Sequence, residues 1–318
     1  MNSEDQFATG GGGLPTFILG GTAAGGTSFL AAVLVQHPEI YLPKQMRPEP
    51  HYFYKSWEYS KGLEYYRARW FSDVPADCTI VGERSSSYLF GGGDVAERMW
   101  RAIPDVKLMF TLRNPIERTW ANYRYTVLEG LEDLSFEEAL RQEPLRVAQQ
   151  TGIWAEIQPY NYTGRGFYGR QIREFRRYFD PSRILLVKSE ALARDTEREL
   201  DRIYTFLGVR ERDFRAIRPP EHSSVGVKDP VLQRQMRQYF GDRFDSIIEA
   251  VRREEPMPPQ ATDGDTAAVA RLCANLHWHR EPMPRAARDY LSDLFAEDLR
   301  ELREYVDFDI SDWVGDRA

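Results

Sequence analysis

The chain has 318 residues, 42% of them apolar and 29% charged, with a formal net charge of −7. That apolar share supplies a buried core and excludes a disordered chain, while the acidic balance argues against general nucleic-acid binding, which needs clustered Lys and Arg to release counterions from phosphate. Any anion site must therefore be local. The two cysteines, Cys78 and Cys273, can build neither a disulfide framework nor a thiolate metal cluster and read as buried, reduced thiols. No run of about 18 apolar residues occurs, and the N-terminal "MNSEDQFATGGGG" carries acids and glycines where a signal would be charged and then apolar. The expectation is a cytoplasmic protein with a flexible tail over residues 1–13 and one domain over 14–318, divided into a core (15–208) and a helical C-terminal part (209–318).

In chain order, "TFIL" from Thr16 is a short apolar run with the form of a buried strand, and the glycine turn "GGTAAGGTS" leads from it into a helix beginning "FL". Gly25, Gly26, Thr27 and Ser28 offer backbone and hydroxyl donors where a phosphate binds at a helix N-terminus. The same stretch also suits a plain strand-to-helix turn. "RPEPHYFY" (Arg47 to Tyr54) follows, with Glu49 between two stiffening prolines. A second strand-like run, "TIVG" from Thr79, passes into "GERSSSYL", and a third, "VKLMFTL" from Val106, into "LRNPIERTWANY". There Pro115 sits at a first helical position after Asn114. "SFEEAL" from Ser135 and "TERELDRIYTFLG" from Thr196 open with Ser/Thr-x-x-Glu capping boxes, Gly208 is a helix stop, and "RILLV" from Arg183 is a fourth strand. "REEPMPPQATDGDT" (Arg253 to Thr266) reads as a long loop. Beyond it, Leu291, Leu294, Phe295, Leu299 and Leu302 recur at helical spacing and mark a helix packed on the core. The alternation of strands and helices predicts an α/β, P-loop-like three-layer fold, a central mostly parallel sheet flanked by helices.

A nucleotide-hydrolysing loop, G-x-x-x-x-G-K-[ST], would place lysine where this chain has Thr27, so nucleotide hydrolysis and kinase chemistry are disfavoured; G-x-G-x-x-G does not occur in the required frame. "HWH" (His277 to His279) has two histidines at i, i+2 but no evident third ligand, so no metal is expected.

The glycine loop, "RPEPHYFY", "GERSSSYL", "LRNPIERTWANY" and "SEAL…TFLG", in that order, resemble the sulfotransferase superfamily in its heparan-sulfate-type carbohydrate branch, over roughly Pro15 to Gly208. The resemblance implies a sulfotransferase that moves a sulfuryl group from 3′-phosphoadenosine 5′-phosphosulfate (PAPS) to a hydroxyl or amino group of a carbohydrate, lipid or small natural product, leaving 3′-phosphoadenosine 5′-phosphate. It places Gly25, Gly26, Thr27 and Ser28 on the 5′-phosphosulfate, Arg113 on the 3′-phosphate, and Glu49 as general base. His51 is the runner-up base, since the ordinary pKa of imidazole suits proton transfer near neutrality, and it equally suits a hydrogen-bonded structural histidine. Arg84, in the place of a cleft lysine, would orient the acceptor, and Tyr52, Phe53, Tyr54, Trp57 and Tyr88 divide between acceptor stacking and core packing. The pattern is broken at three positions: Ala24 replaces the loop lysine, Ala121 a 3′-phosphate serine and Pro48 a lysine before the base. A substitute cation should come from Lys44, Arg47, Lys55 or Arg84, with Arg47 first because it lies two residues before Glu49. The alternative is a non-catalytic nucleotide-binding protein on the same fold. Neither membrane span nor nucleic-acid partner is expected, and the acceptor and oligomeric state stay open.

Overall fold

The structure, a computed structural model, describes residues 13–43, 48–75, 78–211, 214–216, 225–253, 263–279 and 281–313. Five parallel strands, β1 (Phe17–Leu19), β2 (Ile40–Tyr41), β3 (Ile80–Arg84), β4 (Lys107–Leu112) and β5 (Ile184–Lys188), form one sheet in the order β2-β3-β1-β4-β5. The four apolar runs of the sequence become β1, β3, β4 and β5, displaced by a residue or two. β2 was not foreseen, because two residues show no alternation. β1 is wholly buried and β4 is buried except at Lys107, as strands covered on both faces must be.

Alternation along the strands assigns the two faces. Phe17, Leu19 and Met109 pack with Leu30, Ala31 and Leu34 of helix Thr27–Leu34 and with Leu200, Ile203 and Tyr204 of helix Thr196–Leu207. On the other face Phe110 meets Phe175 of helix Tyr168–Arg176, ring centroids 5.0 Å apart. Each such buried side chain contributes roughly 1.5–3 kcal/mol relative to exposure. The expected α/β layers are thus present, with helices on both faces of the sheet.

Helix ends follow the sequence with one correction. Ser135 Oγ accepts the Glu138 N–H at 3.3 Å, and Gly208 ends its helix at φ 84°. Thr196, however, is the first helical residue and not the cap. Asp195 Oδ1 accepts the Arg198 N–H at 3.3 Å, while the Thr196 hydroxyl donates back to Leu192 O at 2.9 Å. A carboxylate has the reach and the charge for that helix end.

The chain divides into two compact units. One, drawn from Met1–Asn114, Phe167–Pro219 and Glu297–Trp313, holds the five-stranded sheet. The other, drawn from Pro115–Gly166, Pro220–Ala296 and Val314–Ala318, is mainly helical, with a two-stranded antiparallel pair, β6 (Gly226–Val227) and β7 (Leu276–His277). In helix Arg285–Leu302 the residues Leu291, Phe295, Leu299 and Leu302 are buried and Leu294 half-buried, as the spacing predicts. Of the expected loop from Arg253 to Thr266, residues 254–262 lie outside the described residues, while Arg253 ends one helix and Thr266 begins another. The cysteines are free but not buried: Cys78 is half-buried and Cys273 exposed. Cys273 follows the buried Leu272 on helix Thr266–Asn275, and one residue further is about 100° further round. No helix among the described residues is long and apolar enough to cross a membrane.

Candidate active site

The strand order reverses direction at β1, which lies between β3 and β4. Ligands of open α/β sheets bind beyond the carboxyl ends of strands at such a point. Three sequence-distant segments meet there: the glycine loop after β1, the "GERSSSYL" stretch at the end of β3 and Arg113 after β4.

The glycine loop is tied to β4, with Thr22 N–H donating to Thr111 O at 2.8 Å and Thr111 N–H to Gly21 O at 2.8 Å. A Cβ at Gly25 would stand 2.5 Å from Thr22 Cγ2 and 2.9 Å from Thr22 O, and Gly26 is left-handed at φ 92°. Both positions therefore require glycine. Helix Thr27–Leu34 begins directly after them, so the N–H groups of its first turn have no intrahelical acceptor.

Arg84, at the end of β3 and only 6% exposed, reaches this loop. Its Nη1 donates to Ser28 Oγ at 2.7 Å and pairs with Glu49 Oε1 at 2.9 Å. One guanidinium thus joins the glycine loop to the candidate base. Arg113 Nη1 donates to Ala24 O at 3.3 Å, bringing a second guanidinium to the position where the resemblance expects a lysine. Arg47 and Lys44 lie outside the described residues, and Lys55 Nζ is over the Trp57 ring, 5.6 Å from its centroid.

Glu49 Oε2 accepts from Ser86 N–H at 2.7 Å and Ser86 Oγ at 2.8 Å, and His51 Nε2 is 3.2 Å away. Burial pushes the Glu49 carboxyl up, but the charges of His51 and Arg84 and the two Ser86 donors outweigh it and hold the group below its ordinary value. Glu49 is therefore ionised at neutral pH. His51 sits in the left-handed region at φ 48°, its own N–H bonded to Ser85 Oγ at 2.8 Å.

Sequence reasoning missed Ser86, Ser85 and Glu83. Glu83 is fully buried in β3, where its carboxylate accepts from the Ser85 hydroxyl, from Tyr66 OH at 2.5 Å and from Tyr88 OH at 3.0 Å. Burial raises its pKa to about 7 despite those donors. An acid inside the strand run "IVGER" was the available clue, since buried carboxylates occur only with partners. Of the aromatics set aside for acceptor stacking, Tyr52, Phe53 and Tyr88 are core residues, while Tyr54 and Trp57 are half-buried.

In the other unit Ala121 is half-buried in helix Pro115–Leu128. The "HWH" histidines do acquire a third neighbour: ligand atoms of His277, His279 and Glu281 lie within 4.8 Å of one another. The sequence hid this because the chain beyond β7 is irregular. His277 Nε2 is 3.1 Å from Glu281 Oε1 and Arg124 Nε 3.8 Å from Glu281 Oε2, so a guanidinium already shares that carboxylate.

The sulfotransferase domain family matches residues 14–224. Human heparan sulfate glucosamine 3-O-sulfotransferase 6 is 29% identical over 201 residues, covering 62% of this chain and 53% of that protein. Human heparan sulfate glucosamine 3-O-sulfotransferase 3B1 is 30% identical over 197 residues, covering 62% and 47%. The chain thus matches about half the length of these curated relatives. A crystal structure of a sulfotransferase from Alicyclobacillus acidocaldarius aligns with a TM-score of 0.66 at 25% identity, over 95% of this chain and 99% of that one. With a match over most of its length and a sheet that carries the glycine loop at its switch point, this chain belongs to the sulfotransferase domain family.

Proposed function

We propose that this protein transfers a sulfuryl group from PAPS to a hydroxyl or amino group of an acceptor. The observation that carries the reading is Arg84, whose Nη1 is bonded both to Ser28 of the glycine loop and to Glu49. A cation so placed answers the missing lysine at Ala24 and touches the base as well.

The residues suit the cofactor. At Gly25 a side chain would strike Thr22 and Thr111 O, so glycine keeps the tight turn that opens the helix N-terminus, and Ser28 and Arg84 add a hydroxyl and a guanidinium for the 5′-phosphosulfate. Arg113, held by Tyr168 OH on its carbonyl at 2.9 Å, is the ligand for the 3′-phosphate. When bound, PAPS supplies an activated sulfuryl group and a phosphate leaving group. Glu49 accepts the acceptor's proton as the new S–O or S–N bond forms. His51 orients Glu49 through their shared contact at Oε2. Arg84 has five N–H donors, enough to keep Glu49 and Ser28 while also facing developing negative charge. The relatives named for heparan sulfate glucosamine make a carbohydrate hydroxyl the first acceptor to try.

Calorimetry with 3′-phosphoadenosine 5′-phosphate, followed by radiolabelled PAPS offered to glycans, lipids and phenols, tests the reading. Wild type is expected to bind and transfer, and Glu49→Gln to bind equally but not transfer. Absence of binding sinks the cofactor assignment, equal turnover by the variant removes Glu49, and binding without any transfer favours the non-catalytic alternative.

A further inference from the structure

Two side chains that hold the base-carrying segment are both bonded to one buried acid. The His51 N–H donates to Ser85 Oγ at 2.8 Å, and the Phe53 N–H to Tyr88 OH at 3.3 Å. Ser85 and Tyr88 in turn each donate to Glu83, with Tyr66 as a third donor. A hydroxyl has a single proton, and an ionised carboxylate only accepts. With Ser85 and Tyr88 directing their protons at Glu83, their lone pairs are left for the two backbone N–H groups. We propose that Glu83 is a positioning residue: its ionised carboxylate, acting through Ser85 and Tyr88, sets the backbone of the segment that carries Glu49 and His51.

The surroundings make this role chemically specific. Tyr66 comes from helix Leu63–Phe71, Tyr88 and Ser85 follow β3, and Tyr52 stacks on Tyr66 with centroids 4.3 Å apart, while Phe53 meets Tyr88 at 5.8 Å. The charged groups facing this box and its segment include Glu49, His51, Arg84 and Arg98, whose Nη1 donates to Phe53 O at 3.0 Å, and the Glu49 charge opposes ionisation of Glu83. The two acids are thus driven apart, Glu49 held below its ordinary value and Glu83 raised to about 7. Protonation of Glu83 removes the charge that strengthens all three hydroxyl bonds and adds a proton that one of those oxygens must accept. The N–H bond of His51, whose left-handed backbone depends on local support, then weakens, and Nε2 loses its fixed approach to Glu49.

The role in transfer rests on the reading above, but the hydrogen-bond coupling is measurable without it. In ¹⁵N-labelled wild type, the amide resonances of His51 and Phe53 are expected to titrate together with a midpoint near pH 7, and in Glu83→Gln to lose that titration. A flat wild-type response, or a titration that survives in Glu83→Gln, overturns the proposal. Should Glu83→Gln not fold, Ser85→Ala cuts one branch: the His51 amide should no longer move in step with the Phe53 amide, which keeps its titration, and two amides that still move together overturn the proposal equally. In turnover assays the same midpoint should appear as an acid limb in kcat that Glu83→Gln lacks; a limb that persists in the variant counts against Glu83. Coupled amides in a protein that binds no 3′-phosphoadenosine 5′-phosphate would sink the sulfuryl-transfer reading and leave the Glu83 linkage standing.

Discussion

Arg84 Nη1 lies 2.7 Å from Ser28 Oγ, so the side chain that closes the glycine loop belongs to β3, a different strand from the one the loop follows. The same atom is 2.9 Å from Glu49 Oε1, and removing Arg84 should therefore damage two functions together. Arg84→Ala is expected to lower kcat by about 10²–10³, the usual cost of losing a donor aimed at developing charge. Arg84→Lys should recover only part, because the lysine side chain is one bond shorter and its ammonium falls short of the Nη1 position that meets both partners. Steady-state kinetics checks both, and a kcat for Arg84→Ala within a few-fold of wild type would remove Arg84 from the mechanism.

Ala24→Lys restores the family residue at the loop. Because Arg84 already supplies a cation to the loop, the single variant should gain little. In an Arg84→Ala background the same lysine should rescue turnover. A double-mutant cycle reads the difference, and simple additivity would show that the two cations do not substitute for each other.

Gly25→Ala forces a methyl to within 2.5 Å of Thr22 Cγ2 and 3.0 Å of Thr111 O. The loop has to move off β4, at an expected cost of about 1–3 kcal/mol in stability and a marked loss of affinity for 3′-phosphoadenosine 5′-phosphate. Denaturant melts and calorimetry measure the two effects separately.

Stability should depend on pH with opposite signs at two carboxylates. Glu49, with its folded pKa below the ordinary 4.5, stabilises the fold above that pH, and this contribution disappears as acid protonates the folded group. Glu83 binds its proton more tightly in the folded state, so its contribution is full below 4.5 and is lost as pH rises through about 7. Relative to wild type, Glu49→Gln should flatten the curve below pH 4.5, and Glu83→Gln should flatten it between about 4.5 and 7, by a few kcal/mol at most. Urea melts across that range decide it.

Much of this site could be read in the sequence because the residue types themselves carry the chemistry. Gly25 and Gly26 stand where a side chain is excluded or a left-handed turn is needed, and Glu49 is framed by Pro48 and Pro50. What could not be read depends on strand order. Nearness along the chain puts Arg47, which lies outside the described residues, ahead of Arg84; the described guanidinium partner of Glu49 comes from β3, next to β1 only because the sheet runs β2-β3-β1-β4-β5. The role of Glu83 depends on Tyr66, a donor from a separate helix that no local pattern around β3 announces. The Thr196 box failed for a smaller reason: Asp195, one residue earlier, is an equally good cap, and spacing alone does not choose between them.

β3 places Glu83 and Arg84 side by side, and the strand's two-residue period sends one into the aromatic box and the other to the glycine loop. A shift of β3 by a single residue would exchange them, setting a guanidinium among tyrosines and a carboxylate against an anion site. A one-residue insertion or deletion in this strand is therefore a reversal of polarity, and the natural variation this strand tolerates should consist of substitutions alone.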